Sequence, residues 1–302
     1  MAGVTVAFVL PSALCSVRVH VHVRSGILPG RDRPELRSRS SNAAPNPNTN
    51  SEPKTWKRER LYYRSVVCLA LDTSTPGGSC AIARHGHVIR ERRGDPDRPH
   101  DTRLPRDLML LLEDTSVDLS HVDLYAVATG PGSFTGLRIG IATMQGLAFA
   151  AGKPLLGVSG FDALMRTVRD LRPAGRSQAA LATPAIATWV DAWRGEVFAA
   201  RYEHGVEVEP PSVEKPAALL ARISSPTIFV GDAVPLHADM IRRTCAERAL
   251  FAEPAAPILA GMIARIATET AAGGCRPAPD EIRPLYIRRP DAELARDARP
   301  VR

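Results

Sequence analysis

The residues best able to do chemistry lie in a glycine-rich loop that runs Gly130-Pro131-Gly132-Ser133-Phe134-Thr135-Gly136, between an apolar run and a helical pattern. Glycine lets a backbone approach a ligand closely, and a helix N-terminus favours an anion. We therefore expect Gly130, Gly132 and Ser133 to belong to a nucleotide or phosphate loop, although a tight strand-to-helix turn would use the same residues. A dinucleotide site is disfavoured, because Ser159-Gly160 rather than a carboxylate follows the next predicted strand.

Asp72 and Thr73 come directly after the first predicted strand, at the start of a turn. A hairpin there could bring the Asp72 carboxylate towards the glycine-rich loop. In actin-like and sugar-kinase-like folds an acid at this place holds a hydrated magnesium ion, so we expect both residues to join the nucleotide-binding set. The alternative is an Asx turn, in which the Asp72 side chain caps its own hairpin.

The sequence offers no complete catalytic or metal-binding set. It contains no Gly-x-Ser-x-Gly elbow, no His-Glu-x-x-His helix, no Walker loop and no Cys-x-x-Cys pair. The imidazoles of His20 and His22 have no third ligand near them in the sequence. Asp191 and Glu196 could form a carboxylate pair, but a tight turn between two strands explains them equally well. His100 could cap a helix or meet a partner, so we predict no catalytic and no metal-binding residue.

Two predicted helices, at 101–114 and 137–151, carry more apolar residues than one core-facing stripe needs. In the second helix small residues lie between large ones, which permits close approach of another helix. Burial of both helices in a single core would explain the same composition. We expect instead an exposed apolar surface for a partner. Its predicted members are Leu104, Leu108, Met109, Leu111, Ile141, Met144 and Leu147.

The order of the predicted elements indicates an α/β fold. From residue 66 onward, three short strands joined by tight turns precede alternating helices and strands, which gives the order β-β-β-α-β-α-β-α. This order predicts a mixed sheet with helices packed on it, and a weaker second cycle follows a linker at 171–184. We therefore predict an N-terminal lobe at 65–170, a second, degenerate lobe at 185–290 and a tail at 291–302.

Residues 1–64 have the composition of a disordered basic extension or a mis-assigned start. They hold eleven Lys and Arg against four Asp and Glu, whereas the rest of the chain holds 28 of each sign. The net charge of +7 therefore gives the body of the protein no general preference for nucleic acid. Without a basic residue before the apolar residues 4–14, a signal peptide is disfavoured. Scattered cysteines and the lack of an apolar run of about 18 residues predict a cytoplasmic protein that is not membrane-bound.

Three groups of residues together resemble the TsaB (YeaZ-like) family. They are the strand and turn 69–75, His100 with Arg103-Leu104-Pro105, and the string Gly130 to Gly140. Gly157-Val158-Ser159, the stretch 191–197 and Pro284-Leu285-Tyr286-Ile287-Arg288 extend the resemblance, which covers roughly residues 66–290. The resemblance implies an actin/Hsp70/sugar-kinase-like (ASKHA) fold with two lobes of mixed sheet flanked by helices.

The resemblance also implies a role in making N6-threonylcarbamoyladenosine at position 37 (t6A37) of tRNAs that read codons starting with A. In that system threonylcarbamoyl-adenylate is made separately, and a catalytic paralogue, TsaD, transfers its threonylcarbamoyl group to the adenosine. A TsaB-like chain pairs with TsaD through its first two helices, and a TsaE-like ATPase joins the complex. The implied partners are therefore a TsaD-like protein, a TsaE-like ATPase, tRNA through the complex, and a second copy of the chain when TsaD is absent. ATP or ADP with magnesium is implied at the contact between subunits.

One sequence feature distinguishes a non-catalytic partner subunit from the catalytic subunit. TsaD-like proteins carry a metal-binding His-x-x-x-His, and its two positions correspond here to Gly160 and Leu164, which cannot bind a metal. A non-catalytic partner subunit is therefore the expected function. The alternatives are an active nucleotide-dependent transferase or phosphotransferase that uses Asp72 and the glycine-rich loop, and a glycoprotease-like hydrolase.

Overall fold

The computed structural model describes residues 66–170, 184–275 and 277–288. The predicted basic extension at 1–64, with His20 and His22, and the predicted tail at 291–302 lie outside the described residues. The predicted linker does too, apart from Pro184.

A five-stranded mixed sheet forms the first lobe. Its order is β3-β2-β1-β4-β5, with β1, β2 and β3 antiparallel and with β4 and β5 parallel to β1. All six residues of β1 are buried, which explains its continuous apolar run. The elements are β1 (Val67–Asp72), β2 (Ser79–Arg84), β3 (His87–Arg93), α1 (His100–Thr115), β4 (Leu124–Gly130), α2 (Phe134–Ala151), β5 (Leu155–Ser159) and α3 (Gly160–Asp170).

The second lobe repeats this arrangement. Its sheet has the order β10-β9-β6-β7-β8, in which β6, β7 and β8 are antiparallel and β9 and β10 are parallel to β6. Short 3₁₀ turns lie at Leu119–His121, Ala246–Arg248 and Pro279–Glu281. The main elements are β6 (Ala185–Asp191), β7 (Val197–Glu203), β8 (Val206–Glu214), α4 (Pro216–Ala221), β9 (Thr227–Val230), α5 (Ala233–Cys245), β10 (Ala249–Phe251) and α6 (Ala260–Ala272).

Each sheet therefore places its first strand at the centre, with an antiparallel hairpin on one side and two parallel strands on the other. This repeated order is the topology of the ASKHA fold and confirms the predicted fold class. Helices α3 and α6 pack between the two sheets, in a core that includes Cys68 of the first sheet, Phe161 of α3, Phe198 of the second sheet and Ile263 of α6. None of the helices in the described ranges is long and apolar enough to cross a membrane.

Helices α1 and α2 cover the other face of the first sheet, and this placement corrects the predicted partner surface. Five of its seven predicted members are buried in the chain's own core and cannot contact another protein. They are Leu104, Leu108, Leu111, Ile141 and Met144. For these five residues, burial in the chain's own core therefore explains the apolar composition of the helices, and an exposed partner surface does not. The reason is that helices cover the first sheet on both faces. Met109 is 60% exposed and Leu147 is partly exposed, so these two remain candidates.

Candidate functional site

A cleft of about 230 Å³ lies between the two lobes. The turn between β1 and β2 forms one wall, and the segment before α6 forms another. Four further contributors are Gly160 and Leu164 of α3, Val190 at the end of β6, and Asp232 before α5. Gly160 and Leu164, the two positions that the sequence resemblance aligns with a metal-binding histidine pair, thus line the cleft, and they carry a hydrogen atom and an isobutyl group.

The glycine-rich loop packs against the β1–β2 turn, and of its residues Pro131 alone is among those that line the cleft. The Ser133 N–H donates to the Ser74 carbonyl at 2.7 Å. A Cβ at Gly132 would overlap the Ser74 carbonyl oxygen, and one at Gly140 would overlap the Thr73 hydroxyl. Glycine is therefore required here because two backbone segments approach each other closely.

This packing changes the interpretation of the predicted nucleotide-binding residues. Asp72 lines the cleft, whereas Thr73, Gly130, Gly132 and Ser133 are not among its lining residues. The Ser133 hydroxyl instead caps α2 by accepting the Gly136 N–H at 3.1 Å, which satisfies one free donor of the first turn. The structure therefore favours the strand-to-helix turn that the sequence left open as the alternative explanation of this loop.

Two carboxyl groups, those of Asp72 and Asp232, line the cleft together with Arg93. Asp72 is buried and accepts the Ser74 N–H at 2.8 Å, which is the Asx turn considered from the sequence. Burial raises the pKa of Asp72. Burial also raises the pKa of Asp232 to about 6, and the neighbouring charges of Asp191 and Asp72 add to that rise.

The residues of this cleft do not fit a metal-bound nucleotide. The backbone of the glycine-rich loop is used for packing, and neither Gly160 nor Leu164 offers a ligand atom. Within the described ranges, no group of three or more His, Cys, Asp and Glu could hold a metal ion. A nucleotide at the contact with another subunit stays a prediction.

Replacing Asp232 with asparagine is expected to stabilise the fold at neutral pH. The ordinary pKa is 3.8 and the folded value is about 6, so the cost of ionising Asp232 is absent at low pH, grows between these values and is complete above about 6. Asparagine keeps an oxygen for the Asp191 N–H, which now donates to Asp232 at 3.0 Å. We expect the free energy of unfolding to rise by about 1–3 kcal/mol at pH 7.5, and most of the gain to disappear at pH 4.

Urea unfolding of the Asp232→Asn variant at both pH values measures this effect. Asp239→Asn is the matched control, because the Asp239 side chain is 83% exposed on the helix that follows Asp232. Equal destabilisation of the Asp232 variant at both pH values would contradict the assignment.

A buried histidine–arginine pair ties the β1–β2 turn to α1. Arg103 donates to His100 Nδ1 at 2.9 Å, so the other ring nitrogen carries the proton and donates to the Thr75 carbonyl at 3.0 Å. Arg103 also donates to the carbonyls of Pro76 and Gly77. Burial and the nearby guanidinium lower the pKa of His100, so its ring is neutral at pH 7. The motif His100–Arg103 therefore has a positioning role.

Two large apolar side chains on α1 and α2 lie free of the core. Phe149 is 84% exposed and Met109 is 60% exposed. Ala142 and Gly146 are exposed on the same side of α2 as Phe149, since positions 142, 146 and 149 fall within an arc of about 60°. A Cβ at Gly146 would meet nothing within 4 Å. We call the five residues Met109, Ala142, Gly146, Leu147 and Phe149 the α1–α2 surface.

Sequence reasoning missed Phe149 as a surface residue, and it noted Ala142 and Gly146 as small residues that permit close helix approach without adding them to the predicted surface. The signal was present, because Phe149 is out of register with the core stripe at Ile141, Met144 and Ala148.

Comparison with known proteins identifies the family. The family model described as TsaD, tRNA N6-adenosine threonylcarbamoyltransferase, matches residues 95–294. An uncharacterized protein of Mycobacterium tuberculosis is 33% identical over 74% of this chain and 93% of its own length. Escherichia coli TsaB is 34% identical over 51% of this chain and 65% of its own length. A Pseudomonas aeruginosa structure described as similar to peptidase YeaZ has a TM-score of 0.59 and 27% identity, covering 74% of this chain and all of that one.

The repeated lobe topology, the packed glycine-rich loop and these similarities agree with one another. The chain belongs to the TsaB (YeaZ-like) family, within the larger family that the TsaD model describes.

Proposed function

We propose that this protein is a non-catalytic partner subunit in t6A37 biosynthesis, which binds and activates a TsaD-like threonylcarbamoyltransferase. The observation that carries the proposal is the α1–α2 surface, where Phe149 stands 84% exposed beside Gly146. A large exposed aromatic side chain is costly to leave in water and is a frequent anchor of protein interfaces. The relatives from Escherichia coli, Haemophilus influenzae and Bacillus subtilis are named tRNA threonylcarbamoyladenosine biosynthesis protein TsaB.

The chemistry of the α1–α2 surface fits another helix pair. Ala142 and Gly146 provide a shallow groove along α2, because neither side chain extends beyond a methyl group. Phe149 at one end and Met109 on the neighbouring helix can insert between side chains of the partner. A paralogue with the same fold would present its own first two helices in the same way. The surface can also bind a second copy of this chain, so we expect weak homodimers when the TsaD-like partner is absent.

The cleft supports a non-catalytic role. In TsaD-like proteins the positions of Gly160 and Leu164 hold histidines that bind the metal, and here these positions offer no ligand. Transfer would therefore take place on the TsaD-like subunit, with the TsaE-like ATPase and tRNA joining through the complex, in the cytoplasm. An active transferase remains the second candidate, because the carboxylates of Asp72 and Asp232 still face the cleft.

Sedimentation of the purified full chain with its own organism's TsaD-like protein tests the pairing. We expect a one-to-one heterodimer to form at micromolar concentration, and the homodimer of this chain to dissociate as the partner is added. Independent sedimentation of the two proteins at all concentrations would contradict the proposal.

A further inference from the structure

The turn between β6 and β7 presents a tryptophan in an unusual backbone conformation. Trp193, Arg194 and Gly195 are three successive residues with left-handed φ values of 56°, 55° and 68°. Two of them carry a side chain that disfavours this region, so surrounding contacts must hold the turn in place. Trp193 is nevertheless 42% exposed, and Arg194 is exposed beside it. A strained turn that displays a large aromatic ring suggests binding rather than folding as its purpose.

Contacts from both sides hold the turn and engage its two carboxylates. Arg288 donates to the Glu196 carboxylate at 2.7 Å and to the Ala192 carbonyl at 2.9 Å. The Trp193 N–H donates to the Asp191 carboxylate at 2.9 Å. Because both acidic groups are engaged within the chain, their repulsion of an anionic ligand is reduced. The backbone of the turn that carries Trp193 is therefore held in place before any ligand arrives, which lowers the entropy cost of binding.

Positive groups lie next to the exposed aromatic rings. The exposed Lys215 donates to the Arg194 carbonyl at 3.0 Å, which places its ammonium group at the same turn. Two residues before Arg288, Tyr286 is 40% exposed, and its hydroxyl accepts from Arg138 at 3.0 Å. The β6–β7 turn and the segment 286–288, which Arg288 joins to that turn, thus both carry aromatic and cationic side chains.

We propose that this surface holds an RNA strand, with Trp193 as the stacking platform for an unpaired base and with Arg194 and Lys215 near the phosphates. Aromatic rings beside arginine and lysine are the usual means of binding single-stranded RNA, because every base has a face that can stack. The identification of this RNA as tRNA rests on the proposed function. This chain thus contributes to binding of the RNA substrate, although the transfer itself takes place on the TsaD-like protein.

Binding of an unmodified tRNA transcript that reads codons starting with A tests the proposal. The full chain in complex with the TsaD-like protein is titrated with this RNA, and the dissociation constant is compared among variants. We expect Trp193→Ala to weaken binding at least about tenfold and Trp193→Phe to restore most of the affinity, since phenylalanine also stacks. A double Arg194→Ala and Lys215→Ala variant should lower the slope of log affinity against log salt by about one to two.

Leu236→Ala is the matched control, because Leu236 is 64% exposed in the same lobe but lies on α5. Thermal unfolding of each variant shows that the fold is kept. Binding of the tRNA by Trp193→Ala within twofold of the wild type would overturn the proposal. Loss of pairing with the TsaD-like protein by Trp193→Ala would also overturn it and would mark the turn as a protein contact.

The same series separates this proposal from the proposed function. Pairing of the wild-type chain with the TsaD-like protein is measured without RNA, so its failure counts against the proposed function alone. The isolated full chain and its Trp193→Ala variant are then compared for tRNA binding, which tests the Trp193 surface without the partner.

Discussion

Replacing Gly146 with arginine is expected to weaken pairing with the TsaD-like partner by at least about a hundredfold while leaving the fold intact. A Cβ at this position meets nothing within 4 Å, so a long side chain fits the free protein without strain. Arginine is also a better helix former than glycine, by up to about 1 kcal/mol, so the melting temperature should stay equal or rise slightly. In the complex, however, the guanidinium would stand between two helices that must approach closely.

Titration calorimetry of the variant with the TsaD-like protein, together with thermal unfolding, measures both parts of this expectation. Leu236→Arg is the control, because it adds the same charge to an exposed helical position of the second lobe. We expect the control to pair as the wild type does. Normal pairing of Gly146→Arg would show that the partner contact lies elsewhere on the protein.

Met144 lies two residues before Gly146. Its replacement with glutamate is expected to destabilise the fold itself, whereas Gly146→Arg weakens pairing of a folded protein. Met144 is completely buried between α2 and the first sheet, in a cluster with Leu71 and Leu108. A carboxylate at this place loses its hydration and the packing of the methionine, which together cost at least about 4 kcal/mol. Because native proteins are stable by only about 5–15 kcal/mol, we expect the variant to lose a large part of its stability and to melt well below the wild-type temperature.

Urea unfolding followed by circular dichroism tests this expectation, with Met144→Leu as the volume-conserving control that costs less than about 1.5 kcal/mol. A Met144→Glu variant that melts at the wild-type temperature would show that α2 does not pack as described. The two neighbouring positions thus distinguish loss of folding from loss of pairing on a single helix.

The placement of Met144 also shows what periodicity alone can and cannot predict. The helical spacing of Leu104, Leu108, Leu111 and Leu112 predicts that they form one face, and the structure confirms that they lie together in one cluster. It could not show that this face packs on the chain's own sheet rather than on a partner. Apolar residues lie on both the buried and the exposed side of the helix pair, so only the position of the sheet shows which of them are free to contact a partner.

The glycine-rich loop illustrates the same limit at long range. Its position between a strand and a helix was predicted correctly, since that depends on neighbouring residues. The reason for Gly140 is its contact with Thr73, which lies 67 positions earlier in the chain. No local pattern encodes such a contact, and the same glycines would suit a phosphate. Asp232 was not predicted as a site residue either, because its raised pKa depends on burial in the folded chain and on the charges of Asp191 and Asp72.

The central claim is that this chain activates a catalytic paralogue without performing the transfer. Its most direct test is the formation of t6A37 on an unmodified tRNA transcript supplied with threonylcarbamoyl-adenylate, measured by mass spectrometry of the released nucleosides. We predict no product with the full chain alone, product when the TsaD-like protein is added, and loss of that stimulation with Gly146→Arg. Transfer by the full chain in the absence of the TsaD-like protein would contradict the claim.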